Sequence, residues 1–79
     1  MMTKVNFAKT GMGIEEGTVT RWLKSVGDQV QKGEILVEIE TAKAMQEVEA
    51  PISGRLSEIL VKEGETVAVN TPIALIESE

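Results

Sequence analysis

Lys43 lies in the run Thr41-Ala42-Lys43-Ala44-Met45, between two alanines too small to cover it. On its N-terminal side Ile35, Val37 and Ile39 alternate with Glu38 and Glu40, and after it Gln46-Glu47-Val48-Glu49-Ala50 alternates again. Two period-two runs joined by a few small residues predict a hairpin with Lys43 at its tip. A primary amine held in water there suits a modifying enzyme better than it suits base chemistry. On spacing and exposure alone an ordinary solvated lysine is the better description. The rest of the 79 residues offers no competing chemistry. There is no Cys and no His, which removes disulfides, the usual zinc, haem and iron–sulfur ligand sets and the common nucleophile systems. We expect no catalytic residue and no metal. A net charge of −5 argues against a nucleic-acid binder. The apolar runs are too short to span a membrane, and Met1 to Thr10 lacks a signal-peptide pattern. The expectation is one non-catalytic domain over residues 1–79, monomeric, in a bacterial cytoplasm or an organelle matrix.

The elements that position Lys43 come from an internal repeat. Gly17 to Glu40 aligns without gaps on Gly54 to Glu77, 37 residues later, with six of 24 positions identical. Each half is too short to close a core, so two similar β units packed face to face about a pseudo-two-fold axis are expected. Each reads as strand, turn, short strand, strand. Val19, Arg21 and Leu23 alternate with Thr20 and Trp22 in the first strand. Gly27-Asp28 and Gly64-Glu65 match as turns, and Gly33 and Asn70 match as residues that tolerate positive φ. Pro51 and Pro72 mark a bend or a strand start. With Phe7 and Trp22 the only aromatics, the core must be built from Val, Ile, Leu and Ala. Trp22, aligned with Ile59, is a packing residue, and Met45 is packing or a loose surface contact. Gly11 and Gly13 around Met12 predict a flexible loop. The repeat offset gives Lys43 the counterpart Asn6 and places the chain ends and Lys43 at opposite poles. The fold class is therefore all-β: a flattened barrel or sandwich of two four-stranded sheets.

From Gly13 to Glu77 the sequence resembles the biotinyl/lipoyl-attachment domain family, and most of all the lipoyl domains of acyltransferase components of 2-oxo acid dehydrogenase complexes. The family's Glu-Thr-Asp-Lys-Ala turn reads here Glu40-Thr41-Ala42-Lys43-Ala44. Its Glu-Ala-Pro-x-x-Gly pattern reads Glu49-Ala50-Pro51-Ile52-Ser53-Gly54. The resemblance implies that Lys43 carries lipoate. It also implies that Glu40, Thr41, Ala42, Ala44, Gly27 and Gly54 serve recognition by the modifying enzyme. Ala42 departs from the pattern, because lipoyl members commonly carry Asp there and biotinyl members Met.

As a lipoyl carrier, the domain would shuttle acyl groups and reducing equivalents in a 2-oxo acid or acetoin dehydrogenase complex. The implied partners are a lipoate ligase or lipoyl transferase, a thiamine-dependent 2-oxo acid decarboxylase, an acyltransferase catalytic domain and dihydrolipoyl dehydrogenase. Two alternatives stay open: a biotin carboxyl carrier with biotin on Lys43, and an unmodified structural or adaptor β domain. Glu38, Glu40, Glu47 and Glu49 either steer docking to basic surfaces or simply keep edge strands solvated.

Overall fold

The computed structural model describes residues 1–7 and 14–78. Its strands are β1 (Met2–Asn6), β2 (Glu16–Trp22), β3 (Gln29–Val30), β4 (Ile35–Glu40), β5 (Met45–Glu49), β6 (Gly54–Ile59), β7 (Thr66–Ala68) and β8 (Pro72–Glu77). They form two four-stranded antiparallel sheets, ordered β1-β8-β6-β3 and β5-β4-β2-β7. No helix occurs among the described residues. The two-sheet expectation is met. The loop expected around Gly11 and Gly13 lies outside the described residues.

Aliphatic side chains fill the space between the sheets, as the scarcity of aromatics requires. Leu36, Ile39, Leu56, Ile73 and Ile76 are fully buried, and Phe7 is the one aromatic among the buried core residues. Each such side chain contributes about 1.5–3 kcal/mol through burial. Trp22 packs half-buried against this core, its Nε1 donating to Val61 O at 3.0 Å. That is the packing role expected from its match with Ile59.

Strict alternation does not survive in β2. The pairing register shifts between Val19 and Arg21, so Val19 and Trp22 pack inward while Arg21 is exposed. β6 has the same shift between Leu56 and Glu58, and Ile59 packs against the core there. One extra residue re-phases the strand, because burying Trp22 and Ile59 is worth more than an unbroken ladder. In β4 a register shift between Ile35 and Val37 buries Leu36 as well as Val37.

The repeat is reproduced bond for bond. Val19 N donates to Glu65 O at 2.8 Å, and Leu56 N to Asp28 O at 2.9 Å. Leu23 N donates to Leu36 O at 2.8 Å, and Leu60 N to Ile73 O at 2.9 Å. Gly33 and Asn70 both adopt left-handed backbone, at φ 89° and 68°.

The counterpart of the hairpin tip is not Asn6. Thr41 N donates to Ala44 O at 3.0 Å, and in the matching place Ser78 N donates to Met1 O at 2.9 Å. Thr41 Oγ1 donates to Ala44 O at 2.6 Å, and Ser78 Oγ to Met1 O at 3.2 Å. The tip therefore corresponds to the meeting of the two chain ends. The 37-residue offset holds from Gly17 to Glu77 and then breaks, since β1, the repeat counterpart of β5, precedes the first repeat instead of following β8. Met45 opposite Glu40 matches Met2 opposite Glu77, while Asn6 pairs with Pro72 at the other end of β1.

The two poles are opposite, as expected. Phe7 N donates to Thr71 O at 3.0 Å, and its ring lies 3.2 Å from where a Cβ on Gly17 would stand, beside Glu40. From there β8 runs to Glu77, about 16 Å away at the rise of an extended strand, in a molecule 36 Å long.

Candidate functional site

The tip is short because Thr41 closes it from within. Its backbone N–H reaches Ala44 O, and its hydroxyl donates to the same oxygen while accepting from Ala44 N at 3.1 Å and, more loosely, from Lys43 N at 3.4 Å. Thr41 is the one buried polar side chain among the described residues. Such a side-chain-to-backbone bond offers the turn a partner that the ladder cannot supply. Ala42, Lys43 and Ala44 are exposed around it. An amine between two methyl side chains, at the end of a hydrogen-bonded hairpin, is open to attachment of an acyl group, and the alanines leave room for an enzyme to close over it.

Beside the tip is a cleft of about 370 Å³ lined by Glu16, Gly17, Thr18, Glu40, Thr41 and Ala42. Gly17 is the buried residue of β2 that lines it. A Cβ there would stand 3.1 Å from Glu40 O and still closer to the Ile39 side chain. Thr18 faces Thr66 from β7, hydroxyl to hydroxyl at 3.2 Å.

The structure divides the residues the sequence singled out. Glu40, Thr41, Ala42 and Ala44 surround Lys43. Gly27 and Gly54 do not. Gly27 N donates to Leu56 O, and a Cβ on Gly54 would run into the backbone of Glu77, both toward the pole of the chain ends. The glycine at the tip is Gly17, the repeat mate of Gly54. Its signal was present in the sequence, since the two are identical positions of the repeat.

The four flanking carboxylates share the outer face of β4 and β5, alternating with Ile39 and Val48, which turn inward. Glu38 and Glu47 are directly opposite across β4 and β5, and Arg21 stands opposite Glu38 from β2. Glu40 faces Met45, whose sulfur lies 3.7 Å from Thr20 Oγ1, a hydroxyl that donates to Glu38 O at 2.9 Å. Met45 is half exposed, a surface contact. Away from the tip, Glu34 is held below the ordinary carboxylate range, chiefly by the Lys24 ammonium at 2.9 Å and then by the Gln31 N–H. Among the described residues no group of three or more potential ligands could hold a metal ion.

Comparison with known proteins agrees with this geometry. The sequence profile of the biotin/lipoyl family, described as biotin-requiring enzymes, matches residues 3–76. The acetyltransferase component of the acetoin cleaving system of Bacillus subtilis is 46% identical over 96% of the chain and 19% of its own length. The solution structure of the lipoyl domain of the 2-oxoglutarate dehydrogenase complex from Azotobacter vinelandii superposes with a TM-score of 0.71 at 33% identity, covering 95% of this chain and 99% of that one. Urea carboxylase of Kluyveromyces lactis superposes with a TM-score of 0.84 at 26% identity, covering 98% of this chain and 6% of that one. The chain spans about a tenth to a fifth of the length of the curated relatives it matches.

Proposed function

The chain belongs to the biotin/lipoyl-attachment family, and from that premise we propose that it is a carrier domain bearing lipoate in amide linkage on Lys43, at work in a 2-oxo acid or acetoin dehydrogenase complex. The observation that carries the reading is the placement of Lys43: an exposed amine on a Thr41-latched tip, flanked by Ala42 and Ala44, at the pole away from the chain ends. Lipoate there would supply a dithiolane that accepts acyl groups and electrons and is reoxidised by thiol–disulfide exchange. The chain's own contribution is mechanical and electrostatic. The hairpin fixes where the arm begins, so that tethering raises its effective concentration at each partner site. Converting the Lys43 ammonium to an amide changes the formal charge from −5 to −6, leaving the tip to its carboxylates. The partners proposed are a lipoate ligase or lipoyl transferase, a thiamine-dependent decarboxylase, an acyltransferase catalytic domain and dihydrolipoyl dehydrogenase.

The likeness to urea carboxylase supports a second reading, a biotin carboxyl carrier. Intact mass after incubation with lipoate, ATP and a lipoate–protein ligase, in parallel with biotin and a biotin ligase, separates the two. We expect one lipoyl adduct, lost in Lys43→Arg. A biotinyl adduct without a lipoyl one would move the assignment to biotin, and no adduct from either would leave an adaptor domain.

A further inference from the structure

We propose that Thr41 is a positioning residue for the modification of Lys43: its buried hydroxyl freezes the tip in the form the modifying enzyme docks to, and the enzyme does not read it as a surface group. This rests on the assignment of Lys43 as the attachment site. Thr41 is only 9% exposed, so an approaching enzyme meets Ala42, Lys43 and Ala44 instead. Its Oγ1 is saturated within the turn, donating to Ala44 O and accepting from Ala44 N and Lys43 N. The accepting bonds hold the amides of the attachment lysine and of its neighbour. Without the oxygen those two N–H groups lose their acceptor, while Ala44 O keeps the bond from Thr41 N. The strand ends therefore stay joined, and what loosens is the two-residue segment carrying Lys43.

The chain-end pole is an internal control for this division of labour. Ser78 makes the matching hydroxyl bond to Met1 O, which joins strand ends. A hydroxyl that only joined strand ends would be equally dispensable at both poles. The extra bonds at Thr41, to Lys43 N and Ala44 N, are the ones that point to the lysine.

A tip that samples several forms is competent for docking only part of the time, which raises the apparent KM and leaves turnover of the docked complex alone. The test is steady-state lipoylation with lipoate, ATP and a lipoate–protein ligase, read by intact mass, on wild type, Thr41→Val, Thr41→Ser and Ser78→Ala. We expect KM for Thr41→Val to rise about tenfold with kcat within about twofold, as a loss of docking competence predicts. Thr41→Ser and Ser78→Ala should stay near wild type. Amide exchange on the unmodified chains supplies a second readout. Lys43 and Ala44 should lose protection in Thr41→Val while Leu36 and Ile76 keep theirs. Thr41→Ala removes the same oxygen with a smaller side chain and takes the place of Thr41→Val if that variant does not fold. Wild-type KM in the folded variant, a loss confined to kcat, or unchanged exchange at Lys43 and Ala44 each overturns the proposal. Absence of an adduct on wild type would instead overturn the attachment assignment.

Discussion

At one pole of the sandwich Thr41 closes a turn onto Ala44, and at the other Ser78 reaches Met1 through the same pair of bonds. Around these two closures the supports also match: Gly17 lies against Glu40 as Gly54 lies against Glu77. Phe7 N reaches Thr71 O as Ala50 N reaches Glu34 O, at 3.0 and 2.9 Å. The poles differ in what is added. The tip inserts Ala42 and Lys43 between the closing residues and places an aromatic ring, Phe7, where the other pole has Ala50. The strand framework is thus common to both poles, and what distinguishes the tip is a two-residue insertion and the side chains that brace it.

The largest expected effect comes from making the two poles alike in the core. Phe7→Ala removes the one buried aromatic core residue, 1% exposed, from beneath Gly17. Loss of a buried Phe costs about 3–5 kcal/mol, transfer and cavity together. Urea unfolding should show that fall in midpoint, and a loss under about 1 kcal/mol would mean that Phe7 is not the brace its burial indicates.

Next are the paired glycines. Gly54→Ala drives a Cβ into the Glu77 backbone, which cannot step aside, whereas the nearest neighbour of a Cβ on Gly17 is a side chain, that of Ile39. Overpacking of this kind costs about 1–3 kcal/mol, with Gly54 expected at the upper end and Gly17 below it. Lipoylation per folded molecule should survive Gly54→Ala, because Gly54 is remote from Lys43. A folded Gly54→Ala chain that the ligase rejects would show that Gly54 serves recognition from a distance.

A smaller contrast sits at the matching turns, where the first repeat uses Gly33 and the second Asn70, both at positive φ. Gly33→Ala should cost about 1 kcal/mol, the penalty for a Cβ in left-handed backbone, while Asn70→Gly should be nearly neutral. Equal losses in thermal melts would show that Asn70 contributes through its side chain as well as its backbone.

These contrasts also show how far the sequence could be read. The aligned Gly, Asp/Glu and Val positions carried the two-sheet fold, because turn chemistry and period-two burial are local and were written twice. Lys43 was legible for the same reason, with alternating runs on both sides of small residues. The register shifts at Thr20 and Ser57 were not, since whether Arg21 or Trp22 faces inward is settled by the core volume available from the other sheet. Nor was the distance of Gly27 and Gly54 from the tip. Spacing along the chain does not say which pole a strand end reaches, and the offset arithmetic that chose Asn6 fails where the repeat passes through the chain ends. The latch on Thr41 depends on a buried oxygen, and a Thr beside a Lys does not announce that it is buried.

The smallest effect is again a difference between the repeats. Lys24 and Glu34 form an ion pair at 2.9 Å, whereas Val61 and Thr71 occupy the matching places. The pair, aided by the Gln31 N–H, lowers the Glu34 pKa, so the unfolded chain binds this proton more readily than the folded one. Its contribution to stability is therefore complete above the ordinary carboxylate value and is lost as pH falls through the lowered one. Both side chains keep solvent contact, 26% and 38%, so salt should screen the effect. Urea midpoints of wild type and Glu34→Gln, followed from neutral pH to acid, should differ slightly at neutrality and converge as Glu34 protonates. The gap should narrow in high salt. A gap that held constant into acid would show that the charge on Glu34, and with it the ion pair to Lys24, contributes nothing to the first repeat.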